Sequence, residues 1–357
     1  MADFYELDFL AVETKKSGDA ITMRYQMDGR TLVHVVDGGF LDTGETIVKH
    51  LEKYYGSRRV DHVVLTHTDQ DHANGLRAVL EKCDVGCLWM NRPWKHAAEL
   101  LRRFPTYNYP HTLESKLRRV YAAAAELEEI AAKNDIEVKD AFQGQMIGAF
   151  RVLTPTKQRY LQLVTDSEKT PVTESYPLHK AAMEEAAFKD SVLLEEHEWG
   201  YEHFPEVDTS SENEMSLVQF AELCGRRILL TGDSGRDGLT EAADYLERQL
   251  GKTLPGVRVM QVPHHGGRRN VTTEILDRWL GKPLSAPPAE PLFRAVCSSA
   301  KADKHHPKMS VKRAFMHRGA KWLETEGISV WLSYPAMERE GYSSIAQATY
   351  PSFQERD

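Results

Sequence analysis

Leu65–Leu76 reads LTHTDQDHANGL and follows directly on the apolar run VDHVV (60–64). His67, Asp69, Asp71 and His72 fall within six positions, where a strand should turn into a helix. Alternate side chains of an extended segment share a face, so positions 67, 69 and 71 can address one point in space. Neutral imidazoles and ionised carboxylates together suit a borderline or hard divalent cation. Capping the helix that begins near Ala73 would occupy only Asp71. Four such side chains in one turn point to a metal site instead.

Working outward, TLVHVVD (31–37) and VDHVVLT (60–66) read as buried strands with the helical pattern ETIVKHLEKYY (45–55) between them. ANGLRAVLEK (73–82) is amphipathic and VGCLWM (85–90) is again strand-like. The alternation resumes later: MSLVQFAEL, RRILLTG, GVRVMQV, LFRAVCS and ISVWLSY read as strands, with helices around TEAADYLERQL, TEILDRWL and SVKRAFMHRG. Such alternation belongs to sheets covered by helices, an α/β class. Between the two sets, PWKHAAELLRRF (93–104) and LESKLRRVYAAAAELEEIAAK (113–133) have helical spacing. TDSEKTPVTES (165–175) and EVDTSSENE (206–214) read as loops. The expectation is one domain over 1–357 with a helical and loop insertion at 92–212.

A chain of 357 residues and net charge -8 has no general attraction to nucleic acid or an anionic membrane. The start, MADFYELDFLAVETKK, carries acids where a secretion signal needs bases, and no apolar run approaches the length of a membrane span. A cytoplasmic protein without membrane insertion is expected. Cys83, Cys87, Cys224 and Cys297 read as reduced thiols, not as a disulfide framework.

The remainder of a metal site should stand at other strand ends. Asp233 follows RRILLTG, His264 and His265 follow VRVMQVP, and Asp37 ends TLVHVVD. HTDQDH, LLTGDSG and VPHHGG, in this order, resemble the metallo-β-lactamase superfamily. More narrowly they are similar to the hydrolase domain of ComEC-type DNA-uptake proteins. That subgroup also shows Asn and Ser before the Asp strand, here Asn213 and Ser216, and a late His-Pro, here His306-Pro307.

The resemblance implies a four-layer αββα sandwich with one or two divalent ions, Mn2+, Zn2+ or Mg2+, along one edge. Carried over, His67 and Asp69 hold the first ion, Asp71 and His72 the second, Asp233 bridges both, and His265 completes the second site. Adjacent side chains leaving a strand diverge, so His264 is read as facing the substrate. Asp71, His264, His306 and Lys301 form the catalytic group, with His306 protonating a leaving oxygen or holding a phosphate and Lys301 adding charge. Asp37 orients a ligand imidazole, and Asn213 and Ser216 support the site from behind. The superfamily has His where Asp69 and Asn213 stand here, which makes the first site harder and richer in oxygen.

Charge is unevenly spread: Arg294–Lys321 holds eight Lys or Arg against one acid, and Arg92–Arg119 seven against two, interleaved with Trp94, Phe104, Tyr107 and Tyr109. Arg268 and Arg269 follow the HHGG turn and are read as substrate-binding. Basic surface with aromatic rings suits a nucleic-acid backbone and its bases. The expected function is therefore a metal-dependent hydrolase of phosphodiester bonds acting on DNA. Two alternatives stand beside it: a small-molecule phosphodiesterase with the insertion as a lid, and a non-catalytic subunit that binds a protein partner through 92–212.

Overall fold

The structure, a computed structural model, describes residues 4–170 and 194–355. The chain enters through two strands that patterning did not single out, β1 (Tyr5–Phe9) and β2 (Ala20–Met27). A turn with Asp28 and Gly29 at positive φ leads into β3 (Arg30–Gly38), as a two-residue hairpin connection requires. Next come β4 (Arg59–Val60), β5 (His62–Val64), β6 (Asp84–Val85) and β7 (Cys87–Trp89). β8 (Glu137–Lys139), β9 (Met146–Ile147), β10 (Phe150–Thr154) and β11 (Leu194–Glu196) follow. The second half supplies β12 (Val218–Leu223), β13 (Arg226–Leu230), β14 (Val259–Gln261) and β15 (Phe293–Cys297). β16 (Ala320–Glu324), β17 (Val330–Tyr334) and β18 (Phe353–Glu355) complete the set.

Among the described residues two seven-stranded sheets form, ordered β17-β1-β2-β3-β5-β7-β8 and β16-β15-β14-β13-β12-β10-β9, beside the two-stranded pairs β11-β18 and β4-β6. Period-two alternation explains their burial on both faces. Along β3, Val33 and Val35 point toward the helices while Val36 faces the second sheet. Tyr5, Leu7 and Phe9 of β1 meet Ile228, Val259 and Leu323 in the layer between the sheets. Outside the first sheet, Leu76, Leu80, Leu117 and Leu127 cover it from helices Leu76–Lys82, Pro110–Val120 and Ala122–Lys133. Outside the second, Leu239, Trp279 and Phe315 come from Arg236–Arg248, Thr273–Leu280 and Met309–His317. Burial of each such side chain contributes about 1.5–3 kcal/mol. The architecture is an αββα sandwich, as the resemblance implied.

The span 92–212 is not a single insertion. β8 lies parallel to β7 in the first sheet, and β10 pairs with β12 in the second. These strands are short or bordered by polar turn residues, which left little apolar period to read in EVK and FRVLT. The rest of the span is the helical stretch 93–133 and helix Lys157–Asp166, which pack into the core on the outer face of the first sheet. The expected loop 165–175 lies outside the described residues beyond 170.

Parallel pairing brings strand ends together. β3, β5 and β7 run parallel, as do β13, β14, β15 and β16. Their carboxyl ends, with the connecting loops, share one edge of the sandwich, which is where ligands collect in such sheets. Two glycines permit the close fit at this edge. A Cβ at Gly38 would lie 2.3 Å from Leu76 N, and one at Gly75 would lie 1.8 Å from Gly38 O. The helix after HTDQDH therefore starts directly against the end of β3.

Candidate metal centre

Asp37 closes β3 at φ 57, a left-handed conformation that turns its carboxylate toward the neighbouring strand end. Its Oδ1 accepts the Thr66 N–H at 2.8 Å, and its Oδ2 accepts Thr66 Oγ1 at 2.6 Å and His72 Nδ1 at 2.8 Å. Because Nδ1 donates to Asp37, Nε2 is the His72 nitrogen turned to the interior. His265 repeats the device, with Nδ1 donating to the Ser298 carbonyl at 2.9 Å. The ring of His67 has Nδ1 at 3.1 Å from Thr66 Oγ1. Three imidazoles are thus tethered by one nitrogen and aimed by the other.

The aimed nitrogens meet Asp233. Its Oδ1 lies 3.4 Å from His72 Nε2 and 3.8 Å from His265 Nε2, and its Oδ2 lies 3.8 Å from His67 Nε2. Asp233 is itself placed by Ser216, whose Oγ accepts the Asp233 N–H at 3.1 Å. Atoms bound at about 2.0–2.2 Å to one tetrahedral ion stand roughly 3.4 Å apart. One ligand atom each from Asp19, His72, Asp233 and His265 lies within 4.8 Å of the others. Asp19 Oδ1, Asp233 Oδ1 and the Nε2 atoms of His67, His72 and His265 are buried without a hydrogen-bond partner among the described residues. Natural proteins rarely bury so many polar atoms unsatisfied in one place. The residues present therefore fit a divalent cation, with mixed nitrogen and oxygen donors.

The electrostatics agree. Burial opposes charge on His72, yet the carboxylates of Asp233, Asp37 and Asp71 hold its pKa well above the ordinary value. His265 is likewise opposed by burial but pushed up to about 9 by Asp233 and Asp19. Asp233 is held well below the usual range, against burial, by His72, His264 and His265. Burial alone dominates at His67, whose pKa is lowered, and at Asp19, whose pKa is raised. The pocket carries an excess of carboxylate that draws positive charge.

The other anticipated residues are placed as follows. Asp71 stands at the rim, its Oδ2 3.8 Å from His265 Nε2 and 3.9 Å from His72 Nε2. Asp69 turns away to an ion pair with Lys169 Nζ at 2.6 Å. Asn213 Nδ2 reaches His264 Nδ1 at 2.7 Å and Thr209 Oγ1 at 2.6 Å. His264, on a turn where both it and His265 have positive φ, also approaches Asp233 Oδ2 at 2.9 Å. The His306 ring lies 5.2 Å from that of His264, and burial takes its pKa down to about 4 against the pull of Asp303. Lys301 is exposed and its charge bears on Glu326. Arg268 is buried, so it is not the surface cation anticipated, whereas Arg269 is half-buried.

The aromatic and basic stretch 92–119 is largely turned to structural use. Trp94 and Phe104 are in the core, and Trp94 Nε1 donates to Glu128 Oε2 at 2.9 Å. Arg92, Lys95 and Arg118 all converge on Glu128. Tyr109 stays exposed, stacked on His111.

Asp19 was not anticipated. The other site residues follow strand ends, whereas Asp19 precedes the strand β2. β2 is antiparallel to β3, with Ala20 opposite Gly38, so the start of one strand lies beside the end of the other. An Asp one residue before an apolar strand that forms a hairpin into VVDGG was the available signal.

Residues 28–154 match the family described as the Metallo-beta-lactamase superfamily, a stretch running from the β2–β3 turn to the end of β10. The match covers about a third of the chain, and the two-sheet αββα sandwich is consistent with the metallo-β-lactamase fold. No curated protein matches the chain. Similar solved structures include the metallo-beta-lactamase fold protein YhfI from Bacillus subtilis, at 9% identity over 93% of this chain and 100% of that one, TM-score 0.41. Zn(2+)-bound PqqB from Methylobacterium extorquens aligns at 11% identity over 92% and 99%, TM-score 0.41. A diphosphatase of the PhnP family aligns at 10% identity over 93% and 99%, TM-score 0.40. Among the described residues no helix is long and apolar enough to cross a membrane.

Proposed function

We propose that the chain is a metal-dependent hydrolase that cleaves phosphodiester bonds, with DNA as its substrate. The observation that carries the hydrolase reading is the convergence of Asp19, His72, Asp233 and His265 on one buried point, with His67 Nε2 beside Asp233 and the inward atoms unsatisfied. A divalent ion held there acidifies a bound water toward neutral pH and polarises a phosphoryl oxygen. Asp37, Thr66 and Ser298 fix the ring orientations that keep Nε2 available. Asp71, at the rim, would accept a proton from an attacking water. His306, beside His264, is kept neutral near pH 7 by burial, so it would hold a substrate oxygen or take up a proton, not deliver one.

The DNA reading rests on the order of HTDQDH, LLTGDSG and VPHHGG, which resembles ComEC-type hydrolase domains, and on Lys301, Lys304 and Lys308 flanking His306. Cations in that position neutralise a phosphate backbone. A small phosphodiester is the second reading, favoured by the ion pair that ties Lys169, just after helix Lys157–Asp166, to Asp69 of the HTDQDH loop. Purified protein with Mn2+, Mg2+ or Zn2+ should cut plasmid or single-stranded DNA, and Asp233→Ala should abolish the cutting. Turnover of a chromogenic phosphodiester with DNA left intact would select the small-substrate reading. Bound metal with neither activity would leave a binding subunit, docking a partner through the segment 92–212.

A further inference from the structure

Asp19 belongs to none of the motifs that carry the resemblance, yet it is 1% exposed and faces the same point as His72, Asp233 and His265. Its Oδ1 is buried without a hydrogen-bond partner, and its Oδ2 lies 3.8 Å from His72 Nδ1. The position is held by the backbone. Asp19 N–H donates to the Asp71 carbonyl at 3.2 Å, and the Asp19 carbonyl accepts Gly39 N–H at 2.7 Å. A Cβ at neighbouring Gly18 would stand 2.8 Å from Asp71 O, so this turn is pressed against the HTDQDH loop. The carboxylate has little freedom to leave. Burying a further unpaired carboxylate beside Asp37, Asp71 and Asp233 is costly unless a cation lies among them.

Resting on the metal-site reading, we propose that Asp19 is a direct ligand of the ion held by His72, Asp233 and His265. The ligand set then comes from four chain segments, two on each sheet, and the first is the turn before β2. Asp71 keeps the exposed side of the ion, where substrate enters, and its side chain is 27% exposed. Asp69, paired with Lys169, stays outside this set. The ion is bound through two carboxylates and two imidazoles from the buried side, a donor set of intermediate hardness.

The test uses the full chain loaded with Co2+, as wild type, Asp19→Asn and Asp19→Cys, with folding checked by circular dichroism. Elemental analysis and chelator competition should show Asp19→Asn weakened by about a hundredfold or more, at or beyond the upper end of losses from residues that only orient ligands. Asp19→Cys should show a near-ultraviolet sulfur-to-cobalt charge-transfer band that the wild type, with its four native thiols, lacks. The band needs a direct sulfur–metal bond, so a residue that merely orients a ligand would not produce it. Wild-type affinity in Asp19→Asn, or a cobalt-loaded Asp19→Cys without the band, overturns the assignment while leaving the metal site intact. Failure of the wild type to bind cobalt overturns the metal-site reading itself, and the assignment with it.

Discussion

Two buried clusters in this molecule use the same kinds of side chain to opposite ends. Around Glu202, both carboxylate oxygens are engaged by His317, Arg318 and Thr273. His317 in turn uses both nitrogens, with Nδ1 on Glu202 at 3.0 Å and Nε2 accepting Tyr350 OH at 3.0 Å and Gly200 N–H at 3.2 Å. Charge is balanced there within the protein, and the network ties the 197–205 loop to helices Thr273–Leu280 and Met309–His317. Around Asp233, each imidazole is satisfied on one side only and carboxylates are in excess. A cluster that closes on itself holds the fold, whereas one left open toward a common point is built to hold something else.

The comparison can be broken most severely at Asp233. Asp233→Ala should reduce cation affinity and hydrolysis by about a thousandfold or more, with the folded state retained, measured by metal titration and turnover. Glu202→Ala should do the reverse. It leaves Arg318 and His317 buried without their carboxylate and should cost about 3–5 kcal/mol in urea unfolding, with turnover per folded molecule unchanged. Loss of activity without loss of stability at Glu202 would erase the distinction between the two clusters.

A pH titration sharpens the same contrast. Burial opposes the charge of Glu202, but the hydrogen bonds from His317 and Arg318 win and lower its pKa below the ordinary 4.5. A depressed carboxylate stabilises the fold fully above its unfolded value, and that stability is lost as pH falls through the folded value. Stability should therefore decline below about pH 4.5, and Glu202→Gln should flatten that part of the decline. The smallest effect is expected for Lys169→Ala. The pair with Asp69 is partly exposed, so unfolding free energy should change by no more than about 1 kcal/mol. Any rise in bound metal in that variant would assign the released Asp69 to a second ion.

Much of the sandwich was legible because long apolar strands and amphipathic helices announce themselves over many residues. β12, β13, β15 and β17 sit within the runs MSLVQFAEL, RRILLTG, LFRAVCS and ISVWLSY. β8 and β10 fall inside the expected insertion 92–212, because a strand of a few residues with charged neighbours has too little period to stand out. Aromatic and basic residues of 92–119 suggested a stacking surface, but composition cannot tell that Trp94 points inward and that Arg92, Lys95 and Arg118 share Glu128.

Local order along the chain determined that Asp37, His72, Asp233 and His265 would stand at strand ends, since a strand and the turn after it are written in consecutive residues. Whether those ends point at one another depends on which strands lie parallel and which hairpin returns beside them. Those are contacts between residues far apart in sequence, and only packing decides them. It is packing that brought Asp19 in beside the imidazoles and turned Asp69 out to Lys169, because pairing across sheets, not spacing along the chain, sets the distance between a ligand and its ion.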